Sequence, residues 1–299
     1  MTAAASWRGD WRQGLAYGGL GLPLAFVALP LYVVLPNHYA SEFGIPLALL
    51  GAVLLAARLL DAVADPWIGR WADALFNRSP ARAWFVAALA AVLLALGFHA
   101  LFFPWVAGQN ALLAWCAALL AVTYLSYSTV SVIHQAWGAR LGGDEAQRAG
   151  IVAWREACAL LGVLVASVLP SLAGLGVTSA VFALALGIGM ACLWRAPRPV
   201  VAGAGHEAPA ALTLPWRNRP FRDLIAVYLL NGIASAVPAT LVLFFIRDRL
   251  VAPQYEALFL AAYFAAGALS IPLWVRAVRH FGLARSWLAG MALAIVVFI

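Results

Sequence analysis

An all-α, polytopic membrane protein is predicted by three features of this sequence. Hydrophobic residues make up 65% of its 299 positions, and the mean hydropathy is +0.91, whereas soluble domains are roughly 45–50% apolar. The apolar residues fall in continuous runs near 14–36, 46–69, 83–104, 110–137, 151–174, 177–195, 223–246, 256–275 and 284–299. Most approach the ~20 residues a helix needs to cross the hydrocarbon core. They are rich in Leu and Ala without period-two alternation, which opposes a β-barrel. A soluble fold is excluded because a chain this size leaves too much surface wet to hide that much apolar side chain.

Charge sets the expected orientation. All nineteen basic residues are arginines. With a cytoplasmic N-terminus, Arg8 and Arg12 lie in the tail, Arg70, Arg78 and Arg82 between spans 2 and 3, and Arg140 and Arg148 between spans 4 and 5. Arg195, Arg198, Arg217, Arg219 and Arg222 fall between spans 6 and 7, and Arg276, Arg279 and Arg285 between spans 8 and 9. Those fifteen face only Arg247 and Arg249 on the opposite side, so the positive-inside rule places the N-terminus in the cytoplasm. Arg58 and Arg155 remain within the membrane. The pI of 9.8 is therefore a topological signal, and no nucleic-acid partner is expected.

Taken in order, the first run follows a mixed-charge tail and leads into further spans, so it reads as a span and not as a cleavable signal. It carries Gly18, Gly19, Gly21, Pro23 and Pro30, which permit close helix approach and bending. The second run ends in RLLDAVADPWIGR. Asp61 and Asp65 are four residues apart and share a helix face, with Arg58 one turn before Asp61. Each Asp near the centre of an inserting helix costs about 2.5–3.5 kcal/mol, and one Arg cannot neutralise two carboxylates. Two close carboxylates facing a cavity suit a small cation, because one can hold a proton or the pair can bind a metal ion. A purely structural charge lock, or hydration of Asp65 near the interface, is the alternative.

His99 on the third run has no acidic neighbour in sequence and reads as interfacial. The fourth run is the most polar. Tyr124, Tyr127, Ser128, Ser131 and Gln135 recur at three- and four-residue spacing, a stripe that can line a cavity or supply interhelical hydrogen bonds. His134 is a candidate proton relay or a hydrated residue near the cytoplasmic end. Arg155 and Glu156 open the fifth run, where an inward Arg suits an anionic or hydroxyl-rich solute. Cys116, Cys158 and Cys192 lie unpaired in apolar runs and read as small hydrophobes.

Between Trp194 and Asp223 the chain turns polar, with Pro, Gly and five Arg, as a flexible linker would. The expected units are a six-helix bundle over 1–195, a cytoplasmic linker over 196–222, and a partial second bundle of about three helices over 223–299. Span 7 carries NGIASAVPAT, in which Asn231 is a cavity candidate. The last run stops at MALAIVVFI within apolar sequence, so the expectation is a truncated second bundle and a longer parent protein. A natural nine-span protein is the alternative.

Six spans, a long linker and a second set resemble the layout of the major facilitator superfamily. Gly69 and Asp73 in GRWAD match the start of its cytoplasmic loop motif. R-x-x-D-A-x-x-D-P-x-x-G resembles, more specifically, the helix-2 signature of the glycoside–pentoside–hexuronide:cation symporters, the melibiose-permease branch. The resemblance extends through TYLSYSTVSVIHQAWGARL, AWREACALLG and NRPFRDLIAVYLLNGIASAVPATLVLFF. It implies a twelve-span relative, a coupling-cation site at Asp61 and Asp65, and a substrate role for Arg155.

The departures narrow these expectations. Sugar-transporting members carry a carboxylate on helix 1, where this chain reads GLGLPLAF, and another on helix 4, where it offers Ser128 or Ser131. Ala64 stands where sodium-using relatives often have Asn. Na⁺ needs several oxygens while a proton needs one carboxylate, so the coupling ion is expected to be H⁺, with Na⁺ at Asp61 and Asp65 the lesser alternative.

The expected protein is a cation-coupled secondary transporter of a small polar solute, such as a sugar or glycoside, working by alternating access. It is placed in the inner membrane as a monomer in the lipid bilayer, with no cofactor and no structural metal. Asp61, Asp65 and Ser128 form the expected coupling site, with Arg58 as charge partner. Arg155, Tyr124, Tyr127, Ser131, Gln135 and Asn231 are the expected substrate contacts. A lipid or amphiphile transporter of the same fold is the first alternative. A membrane-embedded transferase is a distant second, because no carboxylate–histidine constellation or nucleotide-binding Gly loop is present.

Overall fold

The computed structural model of the chain describes Trp7 and residues 9–199, 214–252 and 255–298. The regular elements among them are helical. The first span is broken into α1 (Trp11–Gly18), α2 (Gly21–Phe26), a π-helical turn (Pro30–Val34) and α3 (Leu35–Phe43). Its prolines explain the breaks, since each removes a backbone donor from the helical ladder. At Pro30 the ladder widens, and its carbonyl accepts the N–H of Leu35, five residues on. Gly44 ends α3 at φ 65°, a left-handed conformation that favours glycine.

Three long helices follow: α4 (Leu47–Arg78), α5 (Pro80–Phe102) and α6 (Gln109–Ala139). Ser79 separates the first two in extended conformation. Its hydroxyl accepts the Ala81 N–H at 3.2 Å, and Pro80 occupies the first helical position, where its missing donor is harmless.

Next comes α7 (Glu145–Arg195), 51 residues long. Its start is a capping box: Asp144 accepts the Gln147 N–H at 2.8 Å and donates its own N–H to Gln147 Oε1 at 3.3 Å. A straight helix of that length would reach about 75 Å, far more than the ~30 Å hydrocarbon core. Gly174, at φ 78° and ψ 170°, is the interruption, and it coincides with the gap between the fifth and sixth apolar runs. The packing requires a reversal there. Gly162, before the break, abuts the Leu22 carbonyl, and Gly189, after it, abuts Leu20 and Pro23. Two residues 27 positions apart thus meet one turn of the first span. Neither site has room for a β-carbon without displacing that backbone or side chain.

This helical hairpin packs against α1, α2 and α5, while α6 packs against α4 and α5. Phe182 stacks on Phe26 at 5.7 Å and meets Phe98 at 4.6 Å, joining the two sets in one core. Outward faces carry exposed apolar residues such as Leu55, Leu89 and Leu184, as a lipid-facing surface requires. Five segments in the described residues are long and apolar enough to cross a membrane: Gly21–Phe43, α4, α5, α6 and α7.

Beyond residue 199 come α8 (Leu214–Arg217), α9 (Arg219–Phe244), a π-helical turn (Phe245–Arg249), α10 (Glu256–Phe281) and α11 (Leu283–Phe298). Positions 200–213 of the expected linker lie outside the described residues. α10 packs against α7, and the Leu283 N–H donates to Glu145 Oε2 at 3.2 Å. The carboxylate at the start of α7 therefore satisfies an orphan donor at the start of α11.

Candidate functional site

The buried stripe of α4 contains Leu50, Ala57, Asp61, Ala72 and Phe76, a helical repeat that seats this face on α6. Asp61 is thus a carboxylate in an otherwise apolar seam, 6% exposed. Its Oδ1 accepts the Ser128 hydroxyl of α6 at 2.6 Å, the short distance of a hydrogen bond to a charged acceptor. Its Oδ2 lies 3.8 Å from Arg58 Nη1, an ion-pair contact too long for a hydrogen bond. Asp65, one turn on, sits at the margin of the stripe and is exposed. Among the described residues it makes no ion pair or hydrogen bond. The two carboxylates do share a face, but their surroundings differ: Asp61 has a donor and a nearby cation, and Asp65 has neither.

Arg58 is held by rings. Its guanidinium carbon lies 4.2 Å from the Tyr32 centroid and 4.9 Å from that of Tyr124, both inside the ~6 Å reach of a cation–π contact. Tyr32 comes from the π-helical turn of the first span and Tyr124 from α6, so three spans converge on one side chain.

The helix-4 stripe divides between environments. Tyr124 and Ser128 are buried towards α4, Tyr127 and Ser131 are half-buried, and Gln135 is exposed and donates to Ser131 Oγ at 3.0 Å. The stripe thus runs out of the buried seam towards the end of α6. His134 is 0% exposed, with Nε2 2.8 Å from the Tyr17 carbonyl. That corrects the hydrated placement near the cytoplasmic end, because the broken first span lies directly over it. Nε2 must be the protonated nitrogen, since a carbonyl only accepts.

Arg155 donates Nε and Nη2 to Glu156 Oε1, at 3.0 and 2.6 Å. Its backbone presses on Gly18 and Gly21 of the first span. It borders a cavity of about 450 Å³ shared with Tyr17, Gln135, Arg148 and Ile151. Asn231 is partly buried on α9. In the loop motif, Asp73 Oδ1 meets Arg140 Nη2 at 2.6 Å, and the same guanidinium covers the Phe76 ring at 4.6 Å. A β-carbon on Gly69 would meet open space, so sterics here do not require that glycine.

The family profile for MFS/sugar transport proteins matches residues 14–299. The chain belongs to the MFS/sugar transport protein family. Membership of this family accounts for the all-helical, polytopic architecture. The chain is also 25% identical over 312 aligned positions to the inner membrane symporter YicJ of Escherichia coli strain K12, with 94% of this chain and 65% of that protein covered. It therefore spans just under two thirds of the relative's length. Together the profile and this symporter support the resemblance to the glycoside–pentoside–hexuronide:cation branch of the superfamily.

Three features of this family member escaped the sequence reading: Tyr32 beside Arg58, Arg140 as the partner of Asp73, and the Tyr17 carbonyl facing His134. Each joins residues from different spans. Tyr32 is one of three aromatics in its apolar run, with Tyr17 and Phe26, and no spacing links it to position 58. In sequence, Arg140 is one topological charge among fifteen.

Proposed function

We propose that this chain serves a cation-coupled secondary transporter for a small polar solute. Family membership, and a relative that is a symporter, support transport over an enzymatic role. The observation that carries the coupling is the asymmetric carboxylate pair. Asp61 is buried with a hydroxyl donor and a cation at 3.8 Å, and Asp65 beside it is exposed and unpaired among the described residues. A proton or small cation at this pair removes net negative charge from the membrane, which lets two bundles close around a solute and rock. H⁺ is favoured over Na⁺, because Ala64 offers no side-chain oxygen and, among the described residues, the neutral oxygen bonded to Asp61 is that of Ser128. No further cofactor enters the cycle. Arg155 and Gln135, which border one cavity, are the proposed solute contacts, with Tyr127 and Ser131 on the helix of Gln135. Asn231 of α9 does not line that cavity and is proposed as a contact from the second bundle alone. The same reading has the N-terminus in the cytoplasm, a monomer, and the inner membrane as its location.

The test is solute-driven proton uptake by the full-length protein in proteoliposomes. Wild type should acidify the lumen with solute, and the Asp61→Asn, Asp65→Asn double variant should lose it. Unchanged coupled uptake in that variant would refute the site. One feature favours a second reading, an amphiphile transporter: the first span is apolar from Gly21 to Phe26, where Gly21, Pro23 and Leu24 are buried. Headgroup scrambling without a proton current would select it.

A further inference from the structure

The contacts of Arg58 do not fit a simple salt bridge. A guanidinium next to a buried carboxylate gains most from a short, bidentate approach, yet Nη1 stays 3.8 Å from Asp61 Oδ2. Its carbon instead lies over Tyr32 at 4.2 Å and Tyr124 at 4.9 Å. The two rings are 6.4 Å apart with their planes 29° from parallel, so one guanidinium lies within cation–π reach of both. We propose that Tyr32 and Tyr124 are positioning residues that hold Arg58 off Asp61, and so keep one carboxylate oxygen available to the coupling cation. This inference rests on the reading of Asp61 as the coupling carboxylate.

The physical argument is a competition. Asp61 has two possible counter-ions, the tethered guanidinium and the cation that arrives from water. Were Arg58 free to close on Oδ2, it would act as a permanent resident cation at high local concentration, and an incoming proton would have to displace it. The ring faces offer the guanidinium another favourable place, because their negative quadrupole attracts cations without consuming the carboxylate. Ser128 fixes Oδ1 from the other side, so Oδ2 is the oxygen whose availability Arg58 controls. The other charged or titratable groups near Asp61 are Asp65 on its own helix and Tyr124 on α6. Tyr127 lies within electrostatic reach of Arg58, Asp61 and Arg155.

The two tyrosines contribute unequally to folding. Tyr124 is 2% exposed, whereas Tyr32 is 39% exposed, so Tyr32 is the residue to truncate. A hydrophobic carbodiimide reacts with a protonated carboxyl group in apolar surroundings, and its rate at Asp61 reads proton occupancy without requiring transport. Labelling is measured at one fixed pH in membrane vesicles holding the full-length protein with Asp65→Asn, and Asp61→Asn is the blank. Tyr32→Leu should slow labelling of Asp61 about three- to tenfold, the range expected when one cation–π contact is lost. Tyr32→Phe keeps the ring face and should stay within about twofold of the parent. With Arg58→Leu already present, Tyr32→Leu should add nothing. Unchanged or faster labelling in Tyr32→Leu, or an equal effect with and without Arg58, would overturn the proposal. Loss of coupled uptake bears on the transport reading alone, because labelling kinetics are read independently of it.

Discussion

Ser128 of α6 donates its hydroxyl, at 2.6 Å, to Asp61, the one charged residue in the buried stripe of α4. This bond ties the carboxylate to a second helix, so a change in its charge is felt between two spans and not within one. Ser128→Ala would leave a buried acceptor short of its donor, at a cost of about 1.5–3 kcal/mol for a charged partner. The expected result is a lower thermal midpoint together with weakened proton-coupled uptake, and Ser128→Thr should restore both. Free Cys116 and Cys158 are buried while Cys192 is half-buried, so a thiol-reactive dye reports the midpoint in a Cys192→Ser background.

Arg140 should matter more than its ion pair suggests. Its side chain is 27% exposed and that of Asp73 61%, so the pair itself contributes at most about 1 kcal/mol. The guanidinium also covers Phe76. Arg140→Ala should therefore destabilise by about 1–2 kcal/mol, and Asp73→Ala by less. High salt should shrink the Asp73→Ala effect and leave most of the Arg140→Ala effect. Thermal unfolding at two ionic strengths measures both.

Gly162 and Gly69 make a matched pair. A side chain at Gly162 would strike the Leu22 carbonyl, while one at Gly69 would enter open space. Gly162→Val should force the first span away from α7 and cost about 1–3 kcal/mol or more. Gly69→Ala should leave stability unchanged within about 0.5 kcal/mol. Yield of monodisperse protein after detergent extraction separates the two variants.

His134 satisfies a carbonyl at the end of α1, where helical partners run out. His134→Leu would strand the Tyr17 oxygen in a fully buried place, at a cost of about 1–3 kcal/mol. His134→Gln can still present an N–H there and should recover part of it. If the leucine variant has the wild-type midpoint, the bond is structurally idle.

The helical class, the approximate limits of the spans and the paired acids were legible in the sequence. Apolar runs announce themselves by length, and an ionised residue within one stands out by its cost. The fifth and sixth runs part at Gly174, where composition alone suggested a gap. Other features were not legible. Spacing sets Asp61 and Asp65 one turn apart on one helix, yet it cannot tell that one packs beneath α6 and the other stays exposed. The helix-4 stripe was read as one surface, and it runs from a buried Ser128 to an exposed Gln135.

The chain by itself determined its solvent, its helical spans and the presence of unneutralised acid among them, because these depend on residue type and on periodicity along one helix. Only the tertiary structure decided that Tyr32 meets Arg58, that Arg140 meets Asp73 and that Ser128 meets Asp61. Those contacts join spans distant in sequence, and their geometry is set by where glycines such as Gly162 and Gly189 let backbones approach. The charge of a site is thus a local property of the sequence, whereas the partner that holds each charge is a property of the packing.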